Sequence, residues 1–338
     1  MKPVPRPSAL LAAGLLLLGL PACEQKPADP FQMQPLERTR PAPPKPAPHE
    51  PAQPEVEPPD AQPAPPAEEP VPEGAVRLRW QIAVDGALGY RAELERATGT
   101  ETFGAIEALA RRGELPAETA RRLASLRPSG QAGLVAIMSA NPGGTFTVRV
   151  TGRERDGGRS RDPNVAKLAE TETVVLWEGA LTASGQALAY SLPEIQRLTL
   201  GLLFELPHRP VRPEDTWSLE VELLPREPRL SVQDSARWNE VRLVSLSPLA
   251  DGEQLAVLEY RLAEVQKGVL SEPDEPERPV TRLASYLGRA EFLVRQGRLR
   301  FHAGWLQTSI QGPEPLRETR LLSLSALDAV PRELIDLR

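Results

Sequence analysis

The chain is expected to be an α+β protein: a strongly bent, mainly antiparallel β-sheet, half-barrel or open barrel, with a few short helices. Three observations point there. From residue 75 onward, apolar residues recur with period two in several segments, with polar residues between them. That is the pattern of a sheet with one wet face, because parallel strands buried on both faces read as apolar runs. Two regions, 103–126 and 191–202, break this rhythm with helical spacing. Composition also divides the chain, since 21 of its 38 prolines fall in the first 72 residues and 17 are spread over 73–338. About 265 residues of ordinary composition remain, enough for one large β domain or two smaller ones.

The N-terminus reads as an address. Lys2 and Arg6 precede residues 9–20, an uncharged, Leu-rich run too short for a membrane-spanning helix, which needs about 20 residues. The following Leu20-Pro21-Ala22-Cys23 resembles the lipobox of bacterial lipoproteins, with Pro21 a less usual occupant of its middle position. That resemblance implies cleavage of residues 1–22 and lipidation of Cys23 on its thiol and then its amine. A thiol is the nucleophile such a transfer requires, and Cys23 is the only cysteine in the chain. Several acyl chains together give stable anchoring where one alone is marginal. A plain signal peptide with a coincidental cysteine is the alternative. Glu24 stands where many Gram-negative lipoproteins kept in the inner membrane carry Asp, so the resemblance implies the outer membrane, with the folded part in the periplasm or at the cell surface.

Residues 23–74 then form the lipidated cysteine and a tether of Pro, Ala, Glu and Gln. Such a segment buries too little apolar surface to repay ordering and is expected to stay extended and disordered. It would reach on the order of 150 Å fully stretched, or about 40 Å as a coil. A docking site for a proline-binding partner or the cell wall is the alternative to a spacer. Residues 75–338 form the folded, extracytoplasmic β-rich domain.

Within that domain, Val76, Leu78, Trp80, Ile82 and Val84 alternate with polar neighbours as a strand, Asp85-Gly86 supplies a turn, and 88–94 can return as its hairpin partner. Ile106, Leu109 and Ala110 mark one helix; Leu123 and Leu126 mark a second, with Pro116 suited to its first turn. Phe146, Val148 and Val150 alternate next, and 152–162 and 271–279 read as exposed loops. Ser191 and Glu194 have capping-box spacing before a short helix carrying Ile195, Leu198 and Leu202. Trp217, Leu219, Val221 and Leu223 predict a strand, as do Leu258, Tyr260 and Leu262. Leu299, Phe301 and Trp305 are placed on one face of a late strand, with His302 on the opposite, wet face beside Arg298 and Arg300.

The segment 206–217 contains Pro207, Pro210, Val211, Asp215, Thr216 and Trp217, and resembles a P-x-x-P-V-x-x-G-D-[ST]-W pattern. That pattern occurs in secreted bacterial domains of unknown function, including DUF6263-like lipoproteins. Glu214 stands where the pattern usually has Gly, which leaves the conformation of this turn open. Gly288, Phe292, Gly297 and Leu299 fit a weaker, family-like hairpin that turns at a glycine. The resemblance implies an extracytoplasmic β-rich domain and brings no reaction with it. Physically, the prolines extend the chain, Pro213 pre-sets a turn, and Asp215 can accept backbone N–H groups there. His208, Asp215 and Trp217 are also the residues a ligand site in this segment would use.

Few other residues point to chemistry. With Cys23 consumed by lipid no thiol remains, and the three histidines, His49, His208 and His302, show no metal-ligand spacing. No metal and no cofactor are expected. The net charge of −6 offers no basic excess for nucleic acid. Arg111-Arg112 and Arg121-Arg122 read as solvated helix faces, or as contacts to anionic lipid or cell-wall polymer. Trp80, Trp177, Trp217 and Trp305 read as core, or as the lining of a lipid or sugar site. The sequence therefore predicts a membrane-anchored lipoprotein with a non-catalytic envelope interaction or scaffold domain. Its partner would be an envelope protein, the cell wall or lipid. The alternatives are a hydrophobic-ligand carrier built on a curved sheet, and a hydrolase using His208 or His302.

Overall fold

A computed structural model describes residues 71–83, 86–97, 103–128, 134–141, 144–153, 173–188, 194–271, 276–313 and 315–330. Leu20, Pro21, Ala22, Cys23 and the tether as far as residue 70 lie outside the described residues, as do Asp85, Ser191 and most of 152–162. Among the described residues, ten strands alternate with three helices and a 3-10 turn: β1 (Ala87–Arg96), α1 (Phe103–Arg112), α2 (Ala117–Ala124), β2 (Leu134–Ala140), β3 (Phe146–Arg153), β4 (Thr173–Leu181), α3 (Glu194–Phe204), β5 (Thr216–Trp217), β6 (Leu230–Pro248), the turn Ala250–Gly252, β7 (Gln254–Leu270), β8 (Arg278–Leu293), β9 (Arg298–Gln311) and β10 (Leu316–Ala326). No helix among the described residues is long and apolar enough to cross a membrane.

All strands join one antiparallel sheet in the order β4-β3-β2-β1-β10-β9-β8-β7-β6-β5. The chain starts in the middle, runs out to one edge, crosses through α3 to the far edge, and returns strand by strand until β10 lies beside β1. The antiparallel sheet and short helices are as the sequence predicts. The strong bend and half-barrel are not: the sheet is neither closed nor strongly curled. A sheet hides its apolar faces either by curling on itself or by acquiring covering layers, and this one is covered on both sides.

On the first face, Ala256, Leu258, Tyr260 and Leu262 of β7 and Ala284, Tyr286, Ala290 and Phe292 of β8 meet Leu198, Leu202, Leu203 and Phe204 of α3. On the second face, the intervening residues Ala263, Val265, Leu283, Leu287 and Ala303 meet Ile106, Leu109 and Ala110 of α1 and Leu123 of α2. The central strands are therefore buried on both sides although they are antiparallel.

The α1–α2 hairpin ends and turns for identifiable reasons. Gly113 takes φ 68°, and its N–H donates to the Leu109 carbonyl at 2.9 Å, which is the left-handed cap of a helix C-terminus. A Cβ there would stand 2.4 Å from the Trp238 ring, so the glycine also seats the hairpin on β6. Arg111, Arg112, Arg121 and Arg122 are all exposed, as a solvated helix face requires, and three of them have side-chain partners within the chain. Arg111 pairs with Glu107 and Asp234, Arg112 with Glu114 at 2.7 Å, and the Arg122 guanidinium sits 5.0 Å over Trp305.

Two predicted strands are extended but unladdered. Val76, Leu78 and Trp80 are buried as their alternation requires, yet 76–82 does not form a hairpin with β1, both of whose sides are taken by β2 and β10. It crosses the first face instead, bridging to Val211 and donating from Gln81 N–H to the Gly297 carbonyl at 2.9 Å. The strand predicted at 217–223 is a strand only at Thr216–Trp217. The β8–β9 hairpin does turn at a glycine, Gly297, with φ 59°.

Candidate functional site

In the segment 206–217 the backbone requirements come first. Val211 exchanges both backbone hydrogen bonds with Val76, at 2.9 and 2.8 Å, and Asp215 N–H donates to the Arg212 carbonyl at 3.0 Å. Between them Pro213 precedes Glu214, whose φ is 73°. This is the pattern of a type II turn, whose third residue favours glycine. The residue at the glycine position of the resembling pattern thus keeps the glycine conformation, with Glu in place. Asp215 Oδ2 accepts the Arg212 N–H at 2.8 Å, closing the turn as its sequence position suggests. Leu243 of β6 holds the turn through Glu214 N–H and the Asp215 carbonyl, at 2.7 and 3.0 Å.

His208 is exposed beside this turn, and no hydrogen bond or ion pair among the described residues joins it to Asp215. Trp217 packs against the core with its Nε1 buried and without an acceptor. The three residues share a neighbourhood in sequence, but Asp215 is engaged by backbone. Glu214→Gly is expected to stabilise the chain by about 0.5–1 kcal/mol in urea denaturation. Relief of a left-handed non-glycine residue is worth about 1–2 kcal/mol and exceeds the added freedom of the unfolded chain. The Glu214–Arg242 pair that would be lost, 3.4 Å long, is solvent-exposed and contributes little.

The residues that most resemble a built site lie elsewhere, where α3 ends above β7, β8 and β9. His302 is wholly buried on the first face, not on the wet side expected from its parity. It does lie opposite Phe301 and Trp305, but the face it points to is covered by α3 and the first-face core instead of being wet. A bulge changes only the side of Leu299: Phe292 pairs with Leu299 but Glu291 with Phe301, so Arg300 is extra and the faces exchange there. Leu299 therefore shares a face with His302, while Phe301 and Trp305 point to the other side. Arg127 and Arg289 place their guanidinium groups 5.3 and 5.7 Å from the Phe301 ring.

His302 Nε2 is 2.8 Å from the Tyr286 hydroxyl, and its ring lies 4.6 Å from that of Tyr260. Tyr286 reaches it by lying across Gly288 and Gly304, a cross-strand pair; a Cβ at Gly304 would be 2.3 Å from the ring. Burial pushes His302 down to about 3, outweighing the nearby Leu203 carbonyl, so the imidazole is neutral. The Tyr286 hydroxyl is held well above its ordinary range by the same burial.

Glu205, the residue after α3, is buried too. Loss of water raises its carboxyl to about 7, with the neighbouring Glu220 charge adding to the rise and the Glu220 N–H opposing it. That N–H donates to both carboxylate oxygens, at 2.8 and 3.1 Å. No cation pairs with Glu205 among the described residues.

Glu205 is one of five side chains that fasten a strap, residues 218–225, over the first face. Asn239 accepts the Leu219 N–H at 3.0 Å and donates to its carbonyl at 2.7 Å. Arg237 donates to the Val221 carbonyl, Glu264 accepts the Leu224 N–H at 3.0 Å, and Arg282 donates to the Pro225 carbonyl at 2.9 Å. Leu219, Val221, Leu223 and Leu224 are buried beneath the strap, and glycine at position 201 leaves room for Val221. The backbone thus meets side chains where a strand would meet a ladder. Neither Glu205 nor Glu264 carries a sequence signal for this, because their partners lie 15 and 40 positions away.

A pocket of about 70 Å³ lies beside β1, lined by Gly89, Tyr90, Arg298, Leu327 and Val330 among others. It is far below the roughly 300–1,000 Å³ of small-molecule sites. No cluster of three metal-ligating side chains occurs among the described residues. No family model, no curated protein and no solved structure matches this chain.

Proposed function

We propose that the chain is a bacterial lipoprotein anchored through Cys23, whose folded part is non-catalytic and serves as an envelope interaction or scaffold module at the outer membrane.

 The observation that carries this reading is the position of the only cysteine, directly after Leu20, Pro21 and Ala22 and ahead of a proline-rich tether. The likeness of 206–217 to a segment of secreted β-rich domains that include the DUF6263-like lipoproteins supports an extracytoplasmic setting, and the left-handed conformation at Glu214, where that pattern has Gly, agrees with it. A scaffold reading is supported over a carrier because side chains of α3, residues 76–82 and the strap occupy the face on which an acyl chain would lie. It is supported over a hydrolase because His302 is enclosed, with tyrosines for neighbours and no carboxylate bonded to it among the described residues.

The test is metabolic labelling with a fatty-acid analogue, followed by membrane fractionation. The wild-type chain is expected to be labelled and to sediment with outer membranes. Cys23→Ser is expected to lose the label and move to the soluble fraction. An unlabelled wild type, or a Cys23→Ser chain that stays in the membrane, would overturn the anchor.

A further inference from the structure

We infer that Glu205 is a proton-operated latch, holding the strap 218–225 shut over the first face of the sheet when protonated and releasing it when charged. The geometry has three parts. The strap has no ladder on which to rest, so its closure depends on individual side-chain bonds. Among those fasteners, Glu205 is the one carboxyl with no cation beside it: Glu264 has Arg237 at 3.3 Å, and Asn239 is uncharged. Glu205 also stands just past the C-terminal end of α3, where the helix dipole is negative and disfavours a second negative charge.

The groups that face Glu205 do not relieve that charge. Glu220 on the strap adds a like charge, and Tyr260 on β7 is a neutral phenol whose own ionisation Glu205 opposes. His302, beyond Tyr260, is neutral as well. The basic side chains that fasten the strap, Arg237 of β6 and Arg282 of β8, act at Val221 and Pro225, further along. A carboxylate here gains water only if the strap lifts, so charge and opening are linked. Lifting uncovers Leu219, Val221, Leu223 and Leu224 together with the Tyr260 side of the core.

Hydrogen exchange of the full-length chain, read by mass spectrometry in detergent at pH 5.5 and pH 8, tests this. Rates are corrected for intrinsic base catalysis and compared with β8 as an internal reference. A carboxyl that titrates at about 7 when closed and near 4.5 when open raises the opening equilibrium about 30-fold between those two pH values. The expected result is that loss of protection in 218–225 of the wild type, with β8 unchanged, and its disappearance in Glu205→Gln. Gln keeps an acceptor for the Glu220 N–H but cannot ionise. Equal corrected protection at both pH values in the wild type would overturn the latch, and this comparison stands even if the variant does not fold. A pH dependence that persists unchanged in Glu205→Gln would overturn it equally.

Discussion

Replacing Gly185 by alanine is expected to lower stability by about 3–5 kcal/mol, among the largest effects of any single methyl group in this chain. Gly185 sits at φ 81° in the turn after β4, and a Cβ there would lie 1.7 Å from the Phe204 carbonyl oxygen and 2.5 Å from its carbon. Both are backbone atoms, so no side-chain rotation relieves the overlap, and the end of α3 must move. The same carbonyl accepts the Trp80 Nε1–H at 2.8 Å. Trp80 packs against Phe204 and Phe292 with ring centroids 5.6 Å apart in each case, and against Tyr90 at 6.4 Å. A displaced α3 therefore disturbs the aromatic centre of the first face. Gly144→Ala is the control: φ is 80° there but nothing lies within 4 Å of the missing Cβ. It should cost only the conformational term, about 1–2 kcal/mol. Equal losses for both variants in urea denaturation would show that the close approach to Phe204 carries no energy.

The second large effect is on the pH dependence of stability, where His302 and Glu205 act in opposite directions. His302 titrates at about 3 in the folded chain against 6.5 unfolded. Its contribution is fully present above pH 6.5 and is lost as pH falls towards 3, about 5 kcal/mol in all. Glu205 titrates at about 7 folded against 4.5 unfolded. Its contribution is fully present below pH 4.5 and is lost as pH rises towards 7, about 3 kcal/mol in all. Between pH 4.5 and 6.5 each changes by one proton with opposite sign, and the two slopes cancel. His302→Gln should therefore become less stable, relative to wild type, with each unit of pH gained across that window. Glu205→Gln should show the reverse. Urea midpoints at half-unit intervals of pH would decide it, and parallel profiles for the three proteins would rule out both shifts.

What could be read in the sequence was what is set locally. Ile106, Leu109, Ala110, Leu123 and Leu126 have helical spacing and are all buried by the hairpin they predict. Asp215 follows Pro213 at turn spacing and closes that turn. Period-two alternation marked buried residues faithfully at 76–80 and 219–223, but it does not state what the backbone bonds to. The same alternation serves a laddered strand, a segment bridged at one point, and a strap held by side chains. Parity put His302 opposite Phe301 and Trp305 but could not tell that a helix covers that face, and it failed at Leu299 because one extra residue, Arg300, reverses it, with no residue type near that bulge to announce it. The sheet's openness was equally hidden, since a strand's pattern gives its faces and not its neighbours. Of the residues proposed for a ligand site, His208, Asp215 and Trp217 proved adjacent but not assembled. The buried group of Glu205, Tyr260, Tyr286 and His302 draws on α3 and three strands and has no linear signature.

The place of β10 in the sheet has a consequence for how the chain reaches this structure. Its ladder with β1 joins Tyr90 to Ala326 and Arg96 to Arg320, pairs about 230 positions apart. Before that ladder forms, β1–β4 and β5–β9 are two separate meanders, each with an unpaired edge at its inner side. The strand that unites them, β10, follows both in the chain, so neither half can reach its final state early. Closing so long a loop costs entropy before any contact rewards it, and the exposed edges are open to wrong partners in the meantime. A chain that lost only its final strand would forfeit the union of its two halves, a far larger defect than the eleven residues of β10 would suggest.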